Sequence, residues 1–150
     1  SNFGEGLIMA EEQKKVPTRP MPKLTELDTA DFWHATKNKE FKYQQCANCQ
    51  TIVWHPRAHC TGCVDGDLQW KTSKGQGTIY SFSVVRLSYH PFFRSKVPYA
   101  VAYVDLDEGP RFLTNVTGLD DPLTDVHIGQ RVTLDWEEYE ELSIPLVKPV

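Results

Sequence analysis

The chain has 150 residues, 40% of them apolar and 24% charged, with a formal net charge of −4. This composition is typical of one globular domain or two very small ones, and an acidic chain is a poor general binder of polyanions. The sequence has no run of 18 apolar residues and no basic leader at its start, so we expect no membrane span and a cytoplasmic location.

The N-terminal quarter is predicted to consist of an arm and a helix. The second half of segment 1–24 combines charged side chains with three prolines and few large apolar groups, which predicts a flexible arm. Residues 25–40 predict a short helix with Asp28 as its N-cap. Phe32 and Trp33 give this helix an aromatic face, which packs either on the rest of the chain or on a partner.

The four cysteines are the strongest signal in the sequence. They lie within eighteen residues as two C-x-x-C pairs, Cys46 with Cys49 and Cys60 with Cys63. Each pair brings two thiolates to one ion from a tight turn, and a hairpin between the pairs, with 51–54 as its outgoing strand, brings all four together. A closed thiolate set leaves no position for substrate water, so we predict structural zinc in a ribbon spanning residues 41–72.

Other uses of these cysteines fit less well. Iron in a rubredoxin-like site remains open, because four thiolates accept either metal. Disulfides do not suit a cytoplasmic chain, and a redox dithiol would need one pair in a βαβ context. Gln50 and Val64 stand where glycine often follows the second cysteine of such a turn, so these turns are less standard.

Residues 73–150 predict the rest of the fold. Five runs are typical of strands and are separated by turn signals: 78–87, 99–106, 111–116, 131–136 and 143–147. In the first run Tyr80, Phe82 and Val84 alternate with serines, which predicts that these three side chains are buried. Five antiparallel strands in about 70 residues suit a closed OB-type barrel. The predicted class is therefore mainly β: an N-terminal helix, a rubredoxin-like zinc ribbon and a five-stranded OB-fold barrel.

Several short motifs occur together in a fixed order. They are Phe32-Trp33, the two cysteine pairs, Trp54-His55-Pro56-Arg57, Leu68-x-Trp70, Gly75-x-Gly77-Thr78-Ile79-Tyr80-Ser81, Pro98-Tyr99, Asp105-Leu106-Asp107-Glu108-Gly109 and Ile128-Gly129. Over residues 28–149 this set resembles the acyl-CoA-associated proteins that join a rubredoxin-like zinc ribbon to an OB-fold domain, long catalogued as a domain of unknown function.

The resemblance implies a small non-catalytic subunit that binds a thiolase-fold enzyme acting on acyl-CoA. The implied partner is a thiolase, an acyltransferase or a steroid side-chain retro-aldolase, which supplies the chemistry in a 2:2 assembly while this chain supports its active site or CoA channel. No catalytic motif is recognisable in the sequence itself. We therefore expect no activity from the chain alone.

One loop and the helix face are the predicted contact surface. The segment 88–98 is too long for a tight hairpin and combines aromatic and basic side chains, which are typical of interfaces. The candidate contacts with a partner or with acyl-CoA are Phe32, Trp33, Tyr89, His90, Phe92, Phe93, Arg94 and Lys96. The alternative is that Phe92 and Phe93 merely plug one end of the barrel.

Two other functions compete with the accessory role. One is a stand-alone acyl-CoA-binding module. The other is a single-stranded nucleic-acid-binding OB protein with Tyr80, Phe82 and Tyr103 as stacking platforms. Residues 97–150 carry eleven acidic against three basic residues, which disfavours phosphate binding, so we expect neither a nucleic acid nor a membrane as partner.

Overall fold

The computed structural model describes residues 19–64 and 66–150, so most of the predicted arm lies outside the described residues. The elements, in chain order, are α1 Ala30–Thr36, β1 Lys42–Cys46, β2 Ile52–Val53, β3 Leu68–Thr72, β4 Gln76–Val85, α2 Pro91–Arg94, β5 Tyr99–Leu106, β6 Arg111–Val116, β7 Arg131–Glu138 and β8 Ser143–Pro149. The mainly β class is confirmed. Within the described part of the chain, no helix is long and apolar enough to cross a membrane.

Strands β4 to β8 form a closed barrel in the order β4-β5-β6-β8-β7, and β7 pairs with β4 to complete it. This is the strand order of an OB fold. One detail of the prediction is wrong, because β6 and β8 are parallel rather than antiparallel. Their backbone ladder consists of the single pair Val116 and Val147, and the Thr114 hydroxyl donates a further hydrogen bond of 2.6 Å to the Pro145 carbonyl.

The predicted burial of strand β4 is also wrong in part. The buried residues in its first half are Gly77 and Ile79, whereas Tyr80 and Phe82 are exposed and Val84 is half-buried. The pairing with β5 shifts between Ile79 and Ser81, which is typical of a β-bulge and takes Tyr80 out of phase with Phe82 and Val84. A bulge adds one residue to one strand and so changes which side chains face the core.

Helix α1 packs on the rest of the chain and shares its core. Its N-cap is Thr29 rather than the predicted Asp28, and Thr36 Oγ1 accepts a hydrogen bond of 3.2 Å from the Ser143 backbone N–H of β8. Phe32 and the nearby Phe41 belong to the same buried cluster as the barrel interior. The helix, the cysteine region and the barrel are therefore held by one apolar core.

The cysteine region is a three-stranded antiparallel sheet in the order β2-β1-β3. It is fixed to the barrel through the β5–β6 turn, where the Glu108 carboxylate accepts hydrogen bonds from Ser73 Oγ (2.7 Å) and the Lys74 backbone N–H (2.8 Å). In the same turn Gly109 has a left-handed φ of 125°, and a Cβ there would lie 3.2 Å from Ile52 Cγ1. A side chain at that position would press on the Ile52 side chain and would also hold a strained left-handed φ.

Candidate metal centre and adjoining cleft

The fold brings the four cysteines together. Strand β1 ends at Cys46, β2 leads away from the first pair, and the second pair returns to the same place, so all four Sγ atoms lie within 4.8 Å of one another. The Cys46–Cys63 and Cys49–Cys60 sulfur distances are 3.6 and 3.5 Å. Four sulfurs about 2.3 Å from one ion form a tetrahedron with edges of about 3.8 Å. The cluster therefore fits a tetrahedral four-thiolate metal site.

Both C-x-x-C turns form without glycine in the position where it is often found. Gln50 and Val64 adopt left-handed φ angles of 62° and 65°, and their backbone N–H groups donate to the carbonyls of Cys46 (3.0 Å) and Cys60 (3.2 Å). The left-handed region is unfavourable for a residue with a Cβ, most of all for a β-branched one. The turns are therefore held in an intrinsically costly conformation.

Gly66 is the closest neighbour of the sulfur cluster after the second turn. A Cβ on Gly66 would lie 2.1 Å from Cys46 Sγ and 2.6 Å from Cys63 Sγ. These distances are far below any carbon–sulfur contact, so only glycine fits. The backbone itself closes this side of the cluster.

The pKa values of the cysteine thiols are shifted in opposite directions. Hydrogen bonds from the side chain and backbone of Thr51 lower the pKa of Cys49 to about 6, and the backbone N–H groups of Cys63 and Gly62 lower the pKa of Cys60. A hydrogen bond with Cys46 raises the pKa of Cys63 to about 12. Four adjacent thiolates repel one another, so complete deprotonation requires a bound positive ion.

Side chains next to the cluster hold its supporting loop. The Gln44 amide donates to the Arg57 carbonyl (3.0 Å) and accepts from the Arg57 backbone N–H (2.8 Å), which ties the loop after β2 to strand β1. His55 and His59 lie in this loop, but among the described residues only the four cysteines form a cluster with metal-ligand spacing. The site is therefore built from sulfur alone.

A cleft of about 420 Å³ opens where α1, the loop after β2 and strands β5, β6 and β8 meet. Its walls are mostly aromatic and aliphatic side chains, among them Trp33, Trp54, Tyr103, Leu113 and Pro145. Its charged lining residues are Arg19 and Arg111, and no carboxylate belongs to the described lining. The volume lies in the range of ligand-binding pockets.

Sequence reasoning did not find this cleft, because its walls come from segments far apart in the chain. The available signal was the position of Tyr103 and Leu113. Both alternate with the buried residues of their strands and so lie on the outer face of the sheet. Tyr103 lies between the buried Ala102 and Val104 in β5, and Leu113 lies between the buried Phe112 and Thr114 in β6. Large apolar residues on the outer face of a strand indicate a surface with a partner or ligand.

The two predicted contact residues of helix α1 differ. Phe32 is only 4% exposed and packs edge-to-face on Phe41 and Trp54, with ring centroids 5.2 Å away in each case. It belongs to the core and also lines the cleft, and its contact role stays a prediction. Trp33 is half-buried and lines the cleft, and its contact role stays a prediction.

The predicted loop contains a short helix, α2. His90 caps it, because its Nδ1 accepts a hydrogen bond of 3.1 Å from the Phe92 backbone N–H. The Arg94 guanidinium donates to the Tyr89 carbonyl at 3.1 Å, while the Tyr89 ring is exposed. The loop therefore has a defined conformation, with its basic side chains at the surface.

Arg19 joins this loop to the barrel. Its guanidinium lies 5.1 and 5.2 Å from the ring centroids of Phe92 and Phe93, and it forms an ion pair of 2.9 Å with Glu137 of β7. Lys96 lies 4.6 Å above the Phe92 ring. Phe92 and Phe93 are half-buried and lie outside the buried core cluster, and Phe93 also packs on Tyr99 with ring centroids 5.7 Å apart.

The four-sulfur ribbon followed by a closed five-stranded barrel defines a protein of the zinc-ribbon and OB-fold class. Two family models match it, "ChsH2, rubredoxin-like zinc ribbon domain" over residues 33–69 and "ChsH2, C-terminal OB-fold domain" over residues 70–137. The chain belongs to the ChsH2 (DUF35) family.

Relatives of known name agree with this family. The chain is 37% identical over 141 residues to "Probable enoyl-CoA hydratase alpha subunit" of Thermomonospora curvata, with 92% of this chain and 42% of that protein covered. It is 29% identical over 98 residues to "DUF35 domain-containing scaffold protein" of Methanocaldococcus jannaschii, and the match covers 65% of this chain and 67% of that protein. The structure "Ltp2-ChsH2(DUF35) aldolase" matches with a TM-score of 0.75 and 36% identity, covering 87% of this chain and 98% of that one. The chain thus spans less than half of the Thermomonospora relative.

Proposed function

We propose that the chain is a non-catalytic accessory subunit that binds a thiolase-fold enzyme acting on acyl-CoA. The observation that carries the proposal is the likeness to the Ltp2-ChsH2(DUF35) aldolase, in which 98% of a single chain is covered. The double name of that protein indicates two components. The printed names "alpha subunit" and "scaffold protein" of the two sequence relatives support the same reading.

The site chemistry supports a role without catalysis. Four sulfurs close around one point and leave no open coordination position for a substrate. We infer that Cys46, Cys49, Cys60 and Cys63 hold zinc, which as a d¹⁰ ion has no redox chemistry and tolerates the tetrahedral geometry that the sulfur distances favour. The metal would stabilise a sheet with strands of only two to five residues.

The partner is expected to set the stoichiometry. An accessory chain on a symmetric dimeric enzyme normally occupies both equivalent positions, so we propose a 2:2 assembly. The acyl group and the reaction belong to the partner in this proposal. The original contact candidates remain in it, with Phe32 and Trp33 lining the cleft and the others in the loop around α2.

The test is an affinity purification of the tagged chain from its native host. Bound proteins are identified by mass spectrometry, metal content is measured by inductively coupled plasma mass spectrometry, and mass in solution by light scattering. A thiolase-fold protein at one-to-one stoichiometry, a mass of two plus two chains and one zinc per chain are expected. A chain that elutes alone with its metal bound would overturn the accessory role, and one iron per chain would overturn the zinc assignment.

A further inference from the structure

The outer face of the barrel carries an uncovered group of large apolar side chains. Tyr80, Tyr103 and Leu113 are 53%, 47% and 55% exposed. Tyr103 of β5 pairs directly with Leu113 of β6, and Tyr80 lies at the bulge of β4 beside the Tyr103 partner Ser81. We call these three residues the platform. Such side chains side by side on a sheet are more typical of an interface than of a solvent-facing surface.

The platform is continuous with the cleft and with the loop around α2. Tyr103 and Leu113 also line the cleft. Arg19, on another part of the cleft lining, contacts Phe92 and Phe93 of the loop. OB folds bind ligands on the face of their second and third strands and on the loop that joins the first two. In this barrel those are β5, β6 and the loop 86–98.

The charge of the loop beside this surface has one sign. The loop 86–98 contains no acidic residue, and its cations Arg86, Arg94 and Lys96 are exposed. None of the three forms an ion pair with another residue that the structure describes. On the platform, Arg111 is neutralised by Asp105, with an N–O distance of 2.6 Å, and its guanidinium lies 3.5 Å from the centre of the Tyr80 ring. The free positive charge is therefore at the loop end of the surface.

We propose that the platform and cleft receive an extended segment of the partner subunit, which places one large apolar side chain in the cleft and acidic residues against the loop 86–98. The proposal rests on the proposed function, because the occupant is the accessory chain's enzyme partner. A protein segment fits better than a small ligand, since a ligand inside 420 Å³ would leave Tyr80 and most of the platform uncovered. Exposed aromatic residues and arginine are also the side chains that dominate protein interfaces.

The first test is Leu113→Asp, measured with the purified partner obtained in the affinity experiment above. Ile128→Asp is the matched control, because Ile128 is a 71% exposed apolar residue outside the platform. Both variants change surface residues, and circular dichroism verifies their fold. Leu113→Asp is expected to raise the Kd for the partner at least tenfold, and Ile128→Asp to change it less than twofold. Equal affinities of the two variants would overturn the proposal.

The second test addresses the acidic flank. Arg94→Glu with Lys96→Glu reverses two exposed cations, and Lys148→Glu reverses an exposed cation on β8 as control. Electrostatic pairing acts mainly on association, so the double variant is expected to lower the association rate constant at least tenfold at 50 mM salt and much less at 500 mM. An unchanged rate constant would overturn the proposal that acidic residues of the partner lie against the loop 86–98.

Other outcomes give the surface a different occupant. Calorimetry of the isolated chain with octanoyl-CoA is the probe. Binding that Leu113→Asp abolishes, together with unchanged partner affinity, would assign the cleft to a thioester and overturn the segment proposal. If no partner is recovered at all, the accessory role itself fails. If the partner binds the wild-type chain and Leu113→Asp does not weaken this binding, the accessory role stands and only the proposed docking site is wrong.

Discussion

Replacing Gly66 with alanine should weaken metal binding. The added Cβ would stand 2.1 Å from Cys46 Sγ and 2.6 Å from Cys63 Sγ, whereas non-bonded atoms of this size prefer about 3.5–4.0 Å. Cys46 Sγ would have to withdraw by roughly 1.5 Å, and metal–ligand distances tolerate about 0.2 Å. Because changes that only touch a ligand's supporting contacts already cost about 10–100-fold in metal affinity, we expect Gly66→Ala to weaken binding at least 100-fold, about 2.8 kcal/mol.

The assay is competition for zinc with a chromogenic chelator, followed by circular dichroism of the metal-loaded proteins. Gly66 has no left-handed φ, so alanine there tests space alone. Gly129→Ala is the complementary control, because Gly129 has a left-handed φ of 84° and nothing within 4 Å of the added Cβ. It should lower stability by about 1 kcal/mol through backbone strain and leave zinc affinity unchanged. Wild-type zinc affinity in Gly66→Ala would refute the reasoning.

Three further outcomes follow from the packing. Val64→Gly should raise the free energy of unfolding of the metal-loaded protein in urea by about 1 kcal/mol, because it removes the backbone strain of a β-branched residue with a left-handed φ. A loss of stability would contradict the strained turn. Phe41→Ala should lower the free energy of unfolding by about 3–5 kcal/mol and lower the unfolding midpoints of the ribbon and the barrel together. Separate unfolding transitions of the two parts would contradict a shared core. Burial disfavours the charged Glu137, but hydrogen bonds from Arg19 and Tyr139 outweigh it and leave the pKa of Glu137 below its ordinary value of 4.5. The ion pair therefore stabilises the fold above pH 4.5, and this stabilisation is lost as the pH falls through the lowered pKa of Glu137. Arg19→Met should lower the free energy of unfolding by about 1 kcal/mol at pH 7 and by little at pH 2, as measured by thermal unfolding. An equal loss at both pH values would contradict this account.

The strands of the barrel were predictable because their local signals agree with the fold. The five predicted runs correspond to β4 to β8, and the bounds of β5 and β6 are the same as predicted. Turn residues such as Gly109 and Gly129 mark where the chain must adopt left-handed angles. The cysteine spacing similarly determined the sulfur cluster, because two short turns and one hairpin leave few other arrangements.

Long-range features were not predictable. The bulge after Ile79 depends on how β4 pairs with β5, and a shift of one residue moves Tyr80 from the core to the surface. The short helix α2 depends on the His90 cap, a contact that strand periodicity does not reveal. Trp54 and Pro145 meet at the cleft although ninety-one positions separate them, and no local pattern encodes such a meeting.

The stacking of Trp54 gives the metal an influence beyond its own ligands. Trp54 directly follows β2, stacks on Phe41 at 5.0 Å and lines the cleft. Demetallation would release the hairpin that positions this ring, so this wall of the cleft would lose its shape together with the ribbon. In the complex proposed above, zinc supply would then control assembly, because chains made without zinc would fail to bind the enzyme partner.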